Sequence, residues 1–115
     1  MVQIQTVNSE SFDREVLHSG VPVLVDFSAD WCPTCHVMIP ILDQVAADVG
    51  DRAKIVKVDT DADPTLAAAY GISSIPSLYL IHDGKIVDGV VGVATSEKLE
   101  QMIDRADSGI VEANE

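Results

Sequence analysis

Residues 21–36 read VPVLVDFSADWCPTCH, a passage that changes character twice. Its first seven positions form a short, largely apolar and β-branched run, the composition of a strand buried on both faces. One carboxylate, Asp26, breaks the run. The end of the passage holds both cysteines of the chain, Cys32 and Cys35, with Trp31, the only tryptophan, next to the first. Pro33 suits the first position of a helix, where no intrahelical N–H bond is lost. From there Val37, Met38, Ile41, Leu42, Val45, Ala46 and Val49 repeat with the helical period as far as Gly50. The passage therefore predicts a buried strand, a short loop and a long amphipathic helix with two thiols at its start. Pro40, inside that helix, is expected to kink it.

Working outward, residues 4–7 predict a short strand, and Asn8 and Ser9 are candidate caps for a helix that buries Phe12, Val16 and Leu17 and stops at Ser19-Gly20. Residues 53–59 (AKIVKVD) predict a further central strand, and residues 63–70 (DPTLAAAY) a short helix with Pro64 at its start and Gly71 at its end. Residues 77–82 and 85–91 are strand candidates joined by Asp83-Gly84, a hairpin signal. Thr95 or Ser96 caps a last helix with Leu99, Met102 and Ile103 on one face. The order is βαβαβαββα, an α/β protein with a mixed central sheet flanked by helices on both faces. A single domain is expected over residues 1–107, with residues 108–115 as a frayed tail.

Of the 115 residues 47% are hydrophobic, enough for one core, but only 4% are aromatic, so that core must rest on Val, Ile, Leu and Ala. A formal charge of −12 works against binding to phosphate backbones or anionic lipid, so neither nucleic acid nor a membrane is an expected partner. The first residues, MVQIQTVNSE, lack the basic and apolar regions of a secretory signal, and a cytoplasmic monomer is expected. A reducing cytosol disfavours a permanent disulfide and shifts weight to metal binding or transient redox chemistry for the cysteine pair.

A cysteine at a helix N-terminus faces unsatisfied N–H groups and the positive end of the helix dipole, both of which favour thiolate. Cys32 is so placed, as an exposed nucleophile, with Cys35 one turn further on as a more buried resolving thiol. Asp26, an ionisable group in a central strand, should have a raised pKa and could take the proton of Cys35. Lys57, in the neighbouring strand, is its candidate partner. Ile75-Pro76 precedes an apolar strand where a cis bond is tolerated, and a substrate chain could pair, strand-like, with residue 75. Blander readings stand beside these. The pair could be a structural disulfide closing a tiny loop, or a zinc site, although His18, His36 and His82 are scattered. Asp26 could be an ordinary partner of Lys57, Trp31 a cap on the core, His36 a solvated helix residue, and Gly92 only part of a bulge.

From about residue 3 to residue 106 the chain resembles the thioredoxin family, through VDF, WCPTC, the helix with Pro40, VKVD, GISSIPSLYLI, the DGK hairpin and VVGV. The resemblance implies a thioredoxin fold and a protein-disulfide reductase with a reversible Cys32/Cys35 dithiol–disulfide cycle. In it Cys32 attacks, Cys35 resolves, Asp26 assists as base, Pro76 is cis, and Trp31, Ile75 and Gly92 line the docking surface. It implies no cofactor and no metal, disulfide-containing client proteins, and electrons from a thioredoxin reductase, either an NADPH-linked flavoenzyme or a ferredoxin-linked counterpart. The chain departs from the family at three points. The usual Gly-Pro, which tunes the potential, is Pro33-Thr34; the usual lysine after the second cysteine is His36; and an aromatic residue common after VDF is Ser28. A more oxidising oxidant or isomerase, and a binding module without turnover, are the alternatives these departures leave.

Overall fold

Side chains on a strand point alternately to the two faces of a sheet, and in a computed structural model that describes residues 4–107 this parity sorts the core. On β2 (Val23–Ser28), Leu24 joins a cluster with Met38, Leu42, Val45, Leu78, Leu80, Leu99 and Ile103. Val23, Val25 and Phe27 join another with Phe12, Val16, Val56, Val58 and Leu66. The first cluster packs beneath α2 (Pro33–Val49) and α4 (Ser96–Asp107). The second lies under α1 (Ser9–Phe12), its π-helical continuation Asp13–Leu17, and α3 (Pro64–Ala69). All six β2 side chains are buried, as expected of a strand covered on both faces.

The sheet is completed by β1 (Gln5–Thr6), β3 (Lys54–Asp59), β4 (Ser77–His82) and β5 (Lys85–Val91), in the order β1-β3-β2-β4-β5. The strands β1, β3 and β2 run parallel, whereas β4 is antiparallel to β2 and β5 to β4. The βαβαβαββα order, the mixed sheet and the helices on both faces agree with the sequence reading. Residues 108–115, read there as a frayed tail, lie outside the described residues. The helix α2 continues through Pro40 to Val49, and Gly50, with φ 56°, ends it in a conformation that favours glycine.

One glycine is held by close approach. A Cβ on Gly89 would stand 2.7 Å from Tyr79 Cδ1 and 3.3 Å from the Leu78 carbonyl oxygen. The Tyr79 ring is itself packed against Phe27 and Tyr70. Gly89→Ala should therefore lower stability by roughly 1–3 kcal/mol through overpacking, read as a lower urea midpoint at unchanged slope. An unchanged midpoint would show that the ring swings aside freely.

Candidate active site

The helix α2 starts at Pro33, so Cys32, with extended backbone, is its N-cap. A capping side chain satisfies one of the orphan donors of the first turn, and here the cap is sulfur: the Cys35 N–H donates to Cys32 Sγ at 3.2 Å. Cys32 and Cys35 are joined as a disulfide. The structure corrects one expectation. Cys32 is not the exposed member of the pair, for it is 3% accessible and Cys35 4%. The reason is the cap itself, which turns Sγ inward to the helix end, 4.0 Å from the carbonyl oxygen of Ile75. What meets solvent at this point is Trp31, 68% accessible, followed by Pro33 and Thr34.

Parity also aims the carboxylate. Asp26 and Ser28 share a face of β2 with Leu24, the face covered by α2, and Lys57 shares it on β3 with Ile55. Asp26 and Lys57 are direct partners in the parallel register. Asp26 is 1% accessible, and its Oδ1 has no hydrogen-bond partner among the described residues. Loss of hydration raises its pKa from 3.8 to about 6, against the opposing charge of Lys57 and hydrogen bonding from Ser28. A cleft of about 240 Å³ is lined by Ser28, Asp30, Cys35, His36, Lys57 and Asp59, among others, and so reaches Cys35 and the register partner of Asp26. At about 30 Å³ per water, it has room for several. The small side chain of Ser28 forms part of its wall.

The rim of the site is built from three loops. The Ile75–Pro76 peptide is cis, and the Gly92 N–H donates to the Pro76 carbonyl at 2.8 Å, which brings the end of β5 against the start of β4. Gly92 has φ 92°, a conformation that L side chains rarely adopt. Its neighbours Val91 and Val93 are 61% and 49% accessible, so Trp31 is not alone as an exposed apolar side chain here. Behind them the Ala94 N–H donates to the Met38 thioether at 3.5 Å, tying this loop to α2. His36 is exposed but not idle, since its Nε2 lies 2.5 Å from the Asp30 carbonyl and pins the loop before Cys32.

Trp31, Cys32, Pro33, Thr34, Cys35, Ile75, Pro76 and Gly92 thus gather at one end of the sheet, with Asp26 and Lys57 beneath. Sequence reasoning missed Asp61, which accepts the Trp31 indole N–H at 2.7 Å and holds the ring at the surface. Its only signal was an acidic run, DTDAD, in the loop after β3. Met38 was read as core, and nothing in its type announces an acceptor. Among the described residues no group of three or more His, Cys, Asp or Glu could hold a metal ion, and no helix is long and apolar enough to cross a membrane.

Comparison with known proteins agrees with this geometry. The thioredoxin family model matches residues 3–105. Thioredoxin 1 of Synechococcus elongatus is 44% identical over 99 residues, 86% of this chain and 92% of that protein. The thioredoxin of Griffithsia pacifica is 47% identical over 91 residues, 79% and 84% of the two chains. The chloroplastic M-type thioredoxin of Chlamydomonas reinhardtii is 38% identical over 99 residues, 86% and 71%.

Proposed function

Since the chain belongs to the thioredoxin family, we propose that its thiol–disulfide exchange runs in the reducing direction, on disulfides of client proteins. The chain is a thiol–disulfide oxidoreductase, its redox centre the Cys32–Cys35 pair. In the proposed cycle the Cys32 thiolate attacks one sulfur of a client disulfide; that bond breaks, a mixed disulfide forms, and the other client sulfur leaves as thiolate and takes a proton. Cys35 then gives its proton toward Asp26, through water in the adjoining cleft, and attacks Cys32 Sγ. The second client thiol departs, and the two electrons gained by the client leave Cys32 and Cys35 as the disulfide.

One observation carries the cycle itself: Cys32 caps α2 with its sulfur, where the helix end and the Cys35 N–H favour the thiolate that attacks, while the reducing direction is supported by membership of the thioredoxin family. The rim suits an extended client strand beside Ile75, with Trp31 and Gly92 on either hand. A thioredoxin reductase, NADPH- or ferredoxin-linked, closes the cycle. The use of only two cysteines, both in the redox pair, supports a reducing compartment, which we take to be the cytoplasm.

Equilibration with a graded glutathione series tests the direction. A midpoint more negative than about −260 mV, below most extraction-based estimates of the cytosolic glutathione poise, is expected, together with insulin reduction driven by a reductase. A midpoint well above the glutathione pool would assign the chain to disulfide formation or isomerisation instead. Client binding that survives loss of both cysteines, with no turnover in the wild type, would make it a binding module.

A further inference from the structure

A disulfide sulfur carries no proton, so in the contact between Thr34 Oγ1 and Cys32 Sγ, 3.3 Å long, the hydroxyl must be the donor. The same sulfur accepts the Cys35 N–H at 3.2 Å. Two donors from the first turn of one helix therefore converge on the thiol that attacks. We propose that Thr34 is a positioning residue whose hydroxyl holds the Cys32 thiolate, making Cys32 a stronger acid and the pair a weaker reductant than the same chain without that hydroxyl.

Hydrogen bonds to an ionised acceptor are about twice as strong as those between neutral groups. The hydroxyl thus gains more from the reduced, ionised protein than from the disulfide, and the difference appears both as acidity and as redox equilibrium. Other help for the thiolate is scarce. The groups about Cys32 are Asp30 and Asp61 on the loops beside Trp31, Asp26 and Lys57 on the strands beneath, and Cys35 and His36 on α2. Three of these are carboxyl groups, the His36 ring is turned to the Asp30 carbonyl, and Lys57 sits in register with Asp26. The side chain is well suited to the task, since a β-branched residue has few χ1 choices to lose, and Pro33 fixes the backbone just before it. Thr34 is also exposed, so replacing it disturbs no core.

The inference rests on Cys32 being the attacking thiol, and its test requires no turnover. Wild type, Thr34→Val and Thr34→Ser would be reduced, and thiolate absorbance followed against pH. Cys32 in T34V should be a weaker acid by about 10-fold, the lower end of what a hydrogen bond to a charged group is worth, while T34S stays near wild type. Equilibrium with glutathione should move toward the disulfide in T34V by the same factor at a pH above the Cys32 titration, and should converge with wild type well below it. Identical titrations in all three chains, equal displacement of T34V and T34S, or a glutathione shift that persists unchanged at low pH would each overturn the proposal. A wild-type midpoint that proves oxidising would count against the reductase direction alone, because the comparison among the three chains is unaffected.

Discussion

Cys32→Ser is expected to bring disulfide reduction down to the uncatalysed background, a loss of at least about 10³-fold, whereas Cys35→Ser should stop the reaction halfway. The two outcomes differ because the cysteines occupy different positions on one helix turn. A serine at position 32 keeps a cap for α2 but does not ionise near neutral pH, and Cys35, inside the first turn rather than at its capping position, is not placed to replace it. In Cys35→Ser the backbone N–H of residue 35 remains to donate to Cys32 Sγ, so the attacking thiolate keeps its support. It should then accumulate a client–Cys32 mixed disulfide, visible by mass spectrometry as a one-to-one adduct that a dithiol reductant releases. Turnover in Cys32→Ser above background, or no adduct in Cys35→Ser, would reverse the assignment of the two thiols.

The second large effect concerns stability. Asp26 titrates near pH 6 in the folded chain, against 3.8 for an unburied aspartate. The folded protein therefore binds a proton that the unfolded chain has already released, and stability falls as pH rises through this window and stays low above it. At about 1.4 kcal/mol for each tenfold change in acidity, ionised Asp26 lowers stability by roughly 3 kcal/mol. Asn has almost the same shape and no charge. In the oxidised state, Asp26→Asn should exceed wild type by about that amount at pH 8, and the gap should narrow through pH 6 and close near pH 4. Urea midpoints at the three pH values check this. A gap of equal size at every pH would mean that packing rather than ionisation separates the two chains. The same substitution removes the acceptor proposed for the Cys35 proton, so it should slow the release of the mixed disulfide while leaving its formation nearly intact.

Much of this arrangement was legible because a few residues break their local pattern. Asp26 interrupts an apolar strand, Pro33 marks a helix start, and Asp83-Gly84 marks a hairpin. The strands Ser77–His82 and Lys85–Val91 have the expected bounds, because turn residues delimit them closely. The pairing of Asp26 with Lys57 followed from two central strands side by side. The rest lay beyond a one-dimensional pattern. The π-helical turn Asp13–Leu17 buries Val16 after Phe12, a spacing that an α-helix would satisfy equally. Parallel strands pair across long connections, so the order β1-β3-β2 has no local signature. The burial of Cys32 depends on which way one sulfur turns. The bonds of Asp61 to Trp31 and of Met38 to Ala94 join elements far apart in the chain.

The antiparallel pairing of β2 with β4 has a consequence for how this chain can diversify. Every group proposed for electron and proton transfer, Asp26, Cys32 and Cys35, precedes residue 60. Apart from Trp31, the residues proposed to receive a client, Ile75, Pro76 and Gly92, follow residue 70. The seam is that backbone ladder, from Val23 opposite Ile81 to Phe27 opposite Ser77, and it is made by groups that almost any sequence supplies. If these residues receive the client as proposed, client preference is separable: a transplanted segment 72–93 that keeps the proline, the glycine and the buried Leu78, Leu80 and Ile81 is expected to carry another protein's repertoire onto this chain's redox centre.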